Sequence, residues 1–226
     1  MAGAAFFDLD RTLISRSSSL ALAPVFHRRG LLRWRDRAKA ALAQAIFMRY
    51  GAGTSRVGQT AQSAMVFLQG MPVAELREIV AESMESTFRP HVYADALELV
   101  ARHRERGERS YIVSAALQEV VDALVAELGL DGGLGSRAEV EDGVYTGRLV
   151  ERLDGLAKAK AVTALAAREG IDLRASSAYS DSSSDVPFLE AVGHPVAVNP
   201  DRRLRRVAAE RSWRVLRFSA KAFPDG

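Results

Sequence analysis

The chain has no cysteine, which excludes disulfides, thiolate nucleophiles and zinc–thiolate sites. Histidine is scarce: His27, His91, His103 and His194 are the only four, and no two stand at a metal-sharing spacing. Zinc held by imidazole pairs is thereby disfavoured. No apolar run approaches the roughly 20 residues that cross a bilayer. No basic-then-apolar leader precedes the first apolar run, so a cytoplasmic protein without a signal peptide is expected. There is no internal repeat and no low-complexity segment.

What is present is ordinary globular material. The 226 residues are 48% hydrophobic and 26% charged, enough for one large domain or a core domain carrying a smaller insertion. The net charge of +3 is unevenly spread. Residues 16–49 hold eight lysines and arginines against one acid, Asp36. A second basic cluster covers residues 202–221. Basic faces suit anionic partners such as phosphorylated metabolites, acidic lipid headgroups or nucleic acid, although a solvated surface explains them equally well.

The chain begins with a short apolar run, residues 4–7, of strand length. It stops at Asp8 and Asp10, two carboxylates one residue apart, and then Thr12. Two like charges at a buried strand end repel each other and each carries a desolvation penalty. A positive partner has to offset them, and a hard divalent cation such as Mg²⁺, which takes one or two protein carboxylates, is the natural candidate. The plainer reading of both aspartates is a turn or a helix cap.

Downstream, residues 15–19 are polar and read as a hinge. Residues 20–27, 31–50, 57–68 and 73–88 carry only helical signals, which predicts a small helical bundle inserted after the first strand. From residue 89 the pattern becomes alternating. Helices are expected at 93–106, 117–128, 156–168, 186–192 and 204–210. Strands are expected at 110–113, 177–180, 195–198 and 213–218, with a hairpin over 138–149 turning at Asp142-Gly143. Strands alternating with helices predict a doubly wound, mostly parallel α/β sheet covered on both faces. The boundaries are a core of 1–15 and 89–226 and a helical cap of 16–88. Residues 219–226 read as a loose tail.

In such sheets ligands bind beyond the carboxyl ends of the strands. Three expected strands end in reactive side chains: the first at Asp8 and Asp10, the second at Ser114, the third at Asp181 with Asp185 one turn later. A parallel sheet puts these ends on one side. Lys158, at a helix start where the dipole disfavours a cation, supplies the missing positive charge; Lys160 is its competitor and faces elsewhere. Surface solvation is the plainer role for either lysine.

These residues resemble the four motifs of the haloacid dehalogenase superfamily of phosphohydrolases. Phe6-Phe7-Asp8-Leu9-Asp10-Arg11-Thr12-Leu13-Ile14 looks like its first motif in the phosphoserine-phosphatase-like branch, subfamily IB. Arg11 departs from the commonest form, where glycine is frequent. Ser114 matches the second motif, Lys158 the third, and Ser180-Asp181 with Asp185 the fourth. The resemblance covers nearly the whole chain, though the cap sequence matches poorly.

The resemblance implies a Mg²⁺-dependent phosphatase acting through an aspartyl-phosphate. Asp8 would attack phosphorus, with Lys158 and Mg²⁺ offsetting the charge. Asp10 would serve as general acid and then base. The metal would be held by Asp8, Asp181 and the backbone carbonyl of Asp10. Ser114 and the N–H groups beside it, Ala115 included, would hold the phosphoryl oxygens at a helix start, Thr12 would orient the loop, and Asp185 would position Lys158 or a metal-bound water. Residues 182–184 need no role beyond a polar loop capping a helix. Phosphoserine phosphatases carry an acid early in the cap that pairs with the substrate's amino group. Here no acid precedes Asp36, so a different small phosphomonoester is expected. Phe26, Leu31, Leu32, Trp34, Ile46 and Phe47 would suit a larger anionic or lipid-like ester, or form the bundle core. Trp34 among Arg33, Arg35 and Arg37 would suit peripheral contact with an anionic membrane. The alternatives are a phosphoryl transferase or mutase on the same scaffold and a non-enzymatic module binding lipid or nucleic acid. No nucleic-acid partner is expected for the enzyme.

Overall fold

A computed structural model describes residues 2–30, 65 and 68–223. Strand β1 (Ala4–Phe7) is buried along its whole length. Successive side chains point to opposite faces, so a strand buried on both sides must be apolar throughout. Ala5 and Phe7 enter one hydrophobic cluster and Ala4 and Phe6 the other. This four-residue strand therefore joins the two halves of the core.

After β1 the chain enters helix α1 (Ser18–Arg28); the next described helix is α2 (Val73–Ser83). The α/β part follows: α3 (Ala94–Glu105), β2 (Arg109–Leu117), α4 (Gln118–Leu128), β3 (Gly132–Glu141), β4 (Val144–Glu151), α5 (Gly155–Glu169), β5 (Ser177–Ser180), α6 (Val186–Glu190), β6 (His194–Val198), α7 (Arg202–Glu210) and β7 (Arg214–Leu216). The seven strands form one sheet in the order β4-β3-β2-β1-β5-β6-β7, parallel everywhere except at the β3–β4 hairpin. Helices α1 to α4 pack on the Phe7 face, α5 to α7 on the Phe6 face. The expected α/β sheet is thus present. Asp142 and Gly143 both have positive φ, 49° and 79°, the geometry of the expected tight turn.

Several expectations are corrected. Strand β2 does not stop at Val113 but runs through Ser114 to Leu117, with an irregularity in its pairing to β3. The polar run after β1 is only partly a hinge, because Ser18 and Ser19 are already helical. The 73–88 α-helix ends at Ser83 and widens into a π turn at Met84–Phe88. The tail is docked as far as residue 223. Ala222 N–H donates to Val92 O at 2.9 Å, Ala94 N–H to Ala220 O at 2.9 Å, and Asp95 accepts from the N–H groups of Ser219 and Ala220. Composition hid this because backbone hydrogen bonds carry most of the docking, with Ala222 packing on the core and the Phe223 ring under Arg89. The expected helices at 31–50 and most of 57–68 lie outside the described residues, as do Leu31, Leu32, Trp34, Ile46 and Phe47. Phe26 is half-buried against the core. Among the described residues no helix is long and apolar enough to cross a membrane.

Candidate active site

Three strand ends converge. Phe7 pairs with Ile112 of β2 and with Tyr179 of β5, and Asp8 N–H extends the ladder to Tyr179 O at 2.9 Å. Asp8 therefore stands level with the start of the Ser114 segment on one side and just short of Asp181 on the other.

Lys158 lies in the first turn of α5 and is buried. Its Nζ donates to Asp8 Oδ1 at 2.6 Å and to Asp185 Oδ2 at 2.7 Å. Ser180 Oγ donates to the same Asp185 oxygen at 2.8 Å. Burial alone would lower the Lys158 pKa, but the charges of Asp185 and Asp8 outweigh it and push the value up, so the ammonium stays charged. Lys160 makes no such contact and is exposed. The two lysines differ because residues two apart on a helix face different directions.

The remaining carboxylates are less well compensated. Burial first, and the Asp185 charge besides, push Asp8 up to about 7 despite Lys158. Asp181 is pushed up to about 8, again by burial first and then by the Asp8 charge, although Arg11 lies 3.3 Å away. Burial also raises Asp10, while the N–H of Ser18 donates to its Oδ1 at 2.8 Å and restrains the shift. A buried site rich in aspartate is thus short of positive charge.

The donors are all oxygen, which fits a hard cation. Among the described residues no three acidic or histidine side chains gather as a metal cage. Two carboxylates plus a backbone carbonyl, the set expected for Mg²⁺, need no such cage. The hydroxyl of Thr12, fully buried, has no hydrogen-bond partner among the described residues, an orphaned polar group beside the site.

The Ser114 hydroxyl is buried and its oxygen accepts from Ala116 N–H at 3.1 Å. Its own proton is left to donate. Ala115 is held through its carbonyl, which accepts from Ser136 Oγ at 2.9 Å. Helix α4 opens only at Gln118, so Ser114 and Ala115 precede the helix start instead of forming it. Ser182 Oγ accepts from Ser184 N–H, a capping role, and Ser183 N–H is anchored by Asp201 at 2.9 Å.

Sequence reasoning missed three contributors. The Ser18 N–H clamps Asp10; the polar stretch before an apolar helix was its signal. Ser180 fixes Asp185; its place beside Asp181 was its signal. Arg11 has φ 62°, the left-handed region that favours glycine, which explains why glycine is frequent there, and its guanidinium pairs with Asp181. Nothing in the sequence announced that pairing.

The profile of the haloacid dehalogenase-like hydrolases matches residues 5–190. A protein of Mycobacterium tuberculosis named a "probable phosphatase" is 43% identical over 216 residues, covering 96% of this chain and 75% of the relative. A phosphoserine phosphatase of the same organism is 39% identical over 220 residues, covering 96% and 71%. A histidinol-phosphatase of Neisseria meningitidis is 30% identical over 226 residues, covering 96% and 100%. A crystal structure of a Bordetella pertussis protein of unknown function superposes with a TM-score of 0.84 at 29% identity, covering 96% and 98%. The chain belongs to the haloacid dehalogenase-like hydrolases. Within them it is a phosphatase of the phosphoserine-phosphatase-like kind.

Proposed function

We propose that the chain is a Mg²⁺-dependent phosphomonoesterase that forms an aspartyl-phosphate on Asp8. The observation that carries this reading is Lys158 Nζ held between Asp8 and Asp185, at 2.6 and 2.7 Å, beyond the sheet's carboxyl end. Lys158 fixes the attacking carboxylate and offsets charge as the phosphoryl group approaches. Asp8 Oδ attacks phosphorus and the ester oxygen leaves. Asp10, its carboxyl raised by burial, carries a proton to that oxygen and then takes one from the water that hydrolyses the acyl-phosphate. Ser114 O–H and the N–H of Ala115 bind phosphoryl oxygens, and Thr12 orients the loop. Asp185 is a positioning residue, acting through Lys158. Asp8, Asp181 and the carbonyl of Asp10 would hold Mg²⁺, which when bound supplies the positive charge that the aspartates lack.

Residues 16–88 serve in this reading as a cap over a core of 1–15 and 89–226. The substrate is a small phosphomonoester other than phosphoserine. No acid in the early cap is available for an amino group, since none precedes Asp36 after Asp10. The relatives' names, phosphoserine phosphatase and histidinol-phosphatase, fit a scaffold whose leaving group is chosen by its cap. A cytoplasmic location belongs to the same proposal.

The test is phosphate release from a panel of phosphomonoesters, with Mg²⁺ and with EDTA, for wild type and Asp8→Asn. Metal-dependent release that falls on the order of 10³-fold or more in Asp8→Asn is expected. Full activity in Asp8→Asn would remove Asp8 as the nucleophile. A clear preference for phosphoserine would overturn the substrate reading.

A further inference from the structure

Apart from the aspartate cluster, a cavity of about 220 Å³ lies along α1. Its polar lining is Arg16, Arg28, Ser86, Thr87 and His91, and among the described residues no carboxylate takes part. Both arginines are exposed and, among the described residues, neither is paired with an acid, whereas neighbouring Arg29 is bound by Glu82. Ser15 N–H donates to His91 O at 2.8 Å, Ile14 bridges Val92, and Tyr93 N–H donates to Leu13 O at 3.0 Å. The segments that leave and re-enter the sheet are therefore tied together beside the cavity.

A third cation adds to the crowding. The docked tail brings Lys221 Nζ onto Ser15 Oγ and over the Tyr93 ring, 4.9 Å from its centre. Burial first, and then the charge of Arg16, hold the Lys221 pKa below its ordinary value. Like charges gathered with no acid among the described residues beside them raise the energy of the protein unless an anion joins them. Two guanidiniums and two hydroxyls offer the forked donors that carboxylates and phosphates accept.

We propose that this cavity is an oxyanion site, taking a carboxylate or phosphate group between Arg16 and Arg28 with Lys221 as the supporting charge. The group comes either from a free anion or from a second anionic group on the substrate. Arg16 stands two residues before Ser18, whose N–H holds Asp10.

Calorimetric titration of the full chain with succinate, in EDTA, tests the site. Wild type is expected to bind, Arg16→Gln/Arg28→Gln at least about tenfold more weakly, and Lys221→Met with a smaller loss. Circular dichroism confirms that each variant is folded, and Lys221→Met stands in if the double variant is not. No binding to wild type, or wild-type affinity in both variants, overturns the proposal. The isotherm does not depend on the phosphatase reading; the source of the anion does. Succinate that inhibits hydrolysis of 4-carboxyphenyl phosphate but not of phenyl phosphate assigns the site to the substrate's own second group. Succinate that alters both alike assigns it to a free anion. If neither ester is hydrolysed, the phosphatase reading is weakened while the isotherm still decides the oxyanion site.

Discussion

Lys158 is the residue on which the site's electrostatics turn. It offsets Asp8 and Asp185 at once, and it is buried with both. Removing one member of a buried ion cluster leaves charge without compensation, typically a loss of about 3–5 kcal/mol. Lys158→Met in EDTA is therefore expected to unfold in denaturant with a stability lower by about that amount. A loss under about 1 kcal/mol would show that the aspartates simply protonate. Arg11 makes the opposite case. Its left-handed backbone costs a non-glycine residue about 1–2 kcal/mol, and its pairing with buried Asp181, solvated on the Arg11 side, returns about 0–1 kcal/mol. Arg11→Gly is expected to be as stable as wild type or slightly more so. A loss above about 2 kcal/mol would mean that Asp181 depends on the guanidinium.

At the scale of elements, the position of the Ser114–Ala116 end of β2 is set by how closely α4 approaches β3. A Cβ at Gly135 would stand 2.7 Å from Gln118 Cα, 2.8 Å from Gln118 N and 3.0 Å from Ala116 O, all backbone atoms that cannot rotate away. Gln118 also clamps β3, accepting from Gly135 N–H at 2.6 Å and donating to Gly133 O at 3.2 Å. Gly135→Ala is expected to displace the first turn of α4 and, with it, the Ser114–Ala116 stretch. A destabilisation of about 1–3 kcal/mol by denaturant titration, with a matching fall in phosphate release, is the expected result. Wild-type values for both would show that the helix shifts freely. A second element-scale device lies beneath β5. His103 Nε2 bonds Tyr179 OH at 2.7 Å, its Nδ1 meets Glu108, and the Tyr179 ring stacks on Phe7 at 4.5 Å. The strand that carries Asp181 is thereby tied to the strand that carries Asp8.

For the whole molecule, acid stability has a traceable source. Tyr111 OH and Arg109 both donate to Glu169 Oε2 at 2.6 Å, linking the end of α5 to β2. The Tyr111 hydrogen bond first, then the nearby arginines, hold Glu169 below its ordinary value against the effect of burial. A depressed folded-state pKa favours folding while the group is ionised. The contribution is present above about pH 4.5 and is lost as pH falls through the folded value. Glu169→Gln is expected to flatten the fall in stability below about pH 4.5 and to leave its pH slope near neutrality unchanged. An unaltered acid limb would place the sensitivity elsewhere.

The mostly parallel sheet was legible in the sequence, and so were the side chains that it gathers at one end. An apolar run ending in Asp8 and Asp10, a strand ending near Ser114, and Asp181 with Asp185 are local patterns, and parallel pairing is enough to gather them. Lys158 was legible because a cation at a helix start needs a reason. Folding alone settles that Lys158 serves Asp8 and Asp185 among the four carboxylates, that Arg11 reaches Asp181, that Ser18 holds Asp10, and that the tail brings Lys221 to Ser15. These contacts join residues eight to more than two hundred positions apart through backbone N–H groups and long flexible side chains. Such groups have no periodicity, and a chain fixes their partners only once the sheet has placed them side by side.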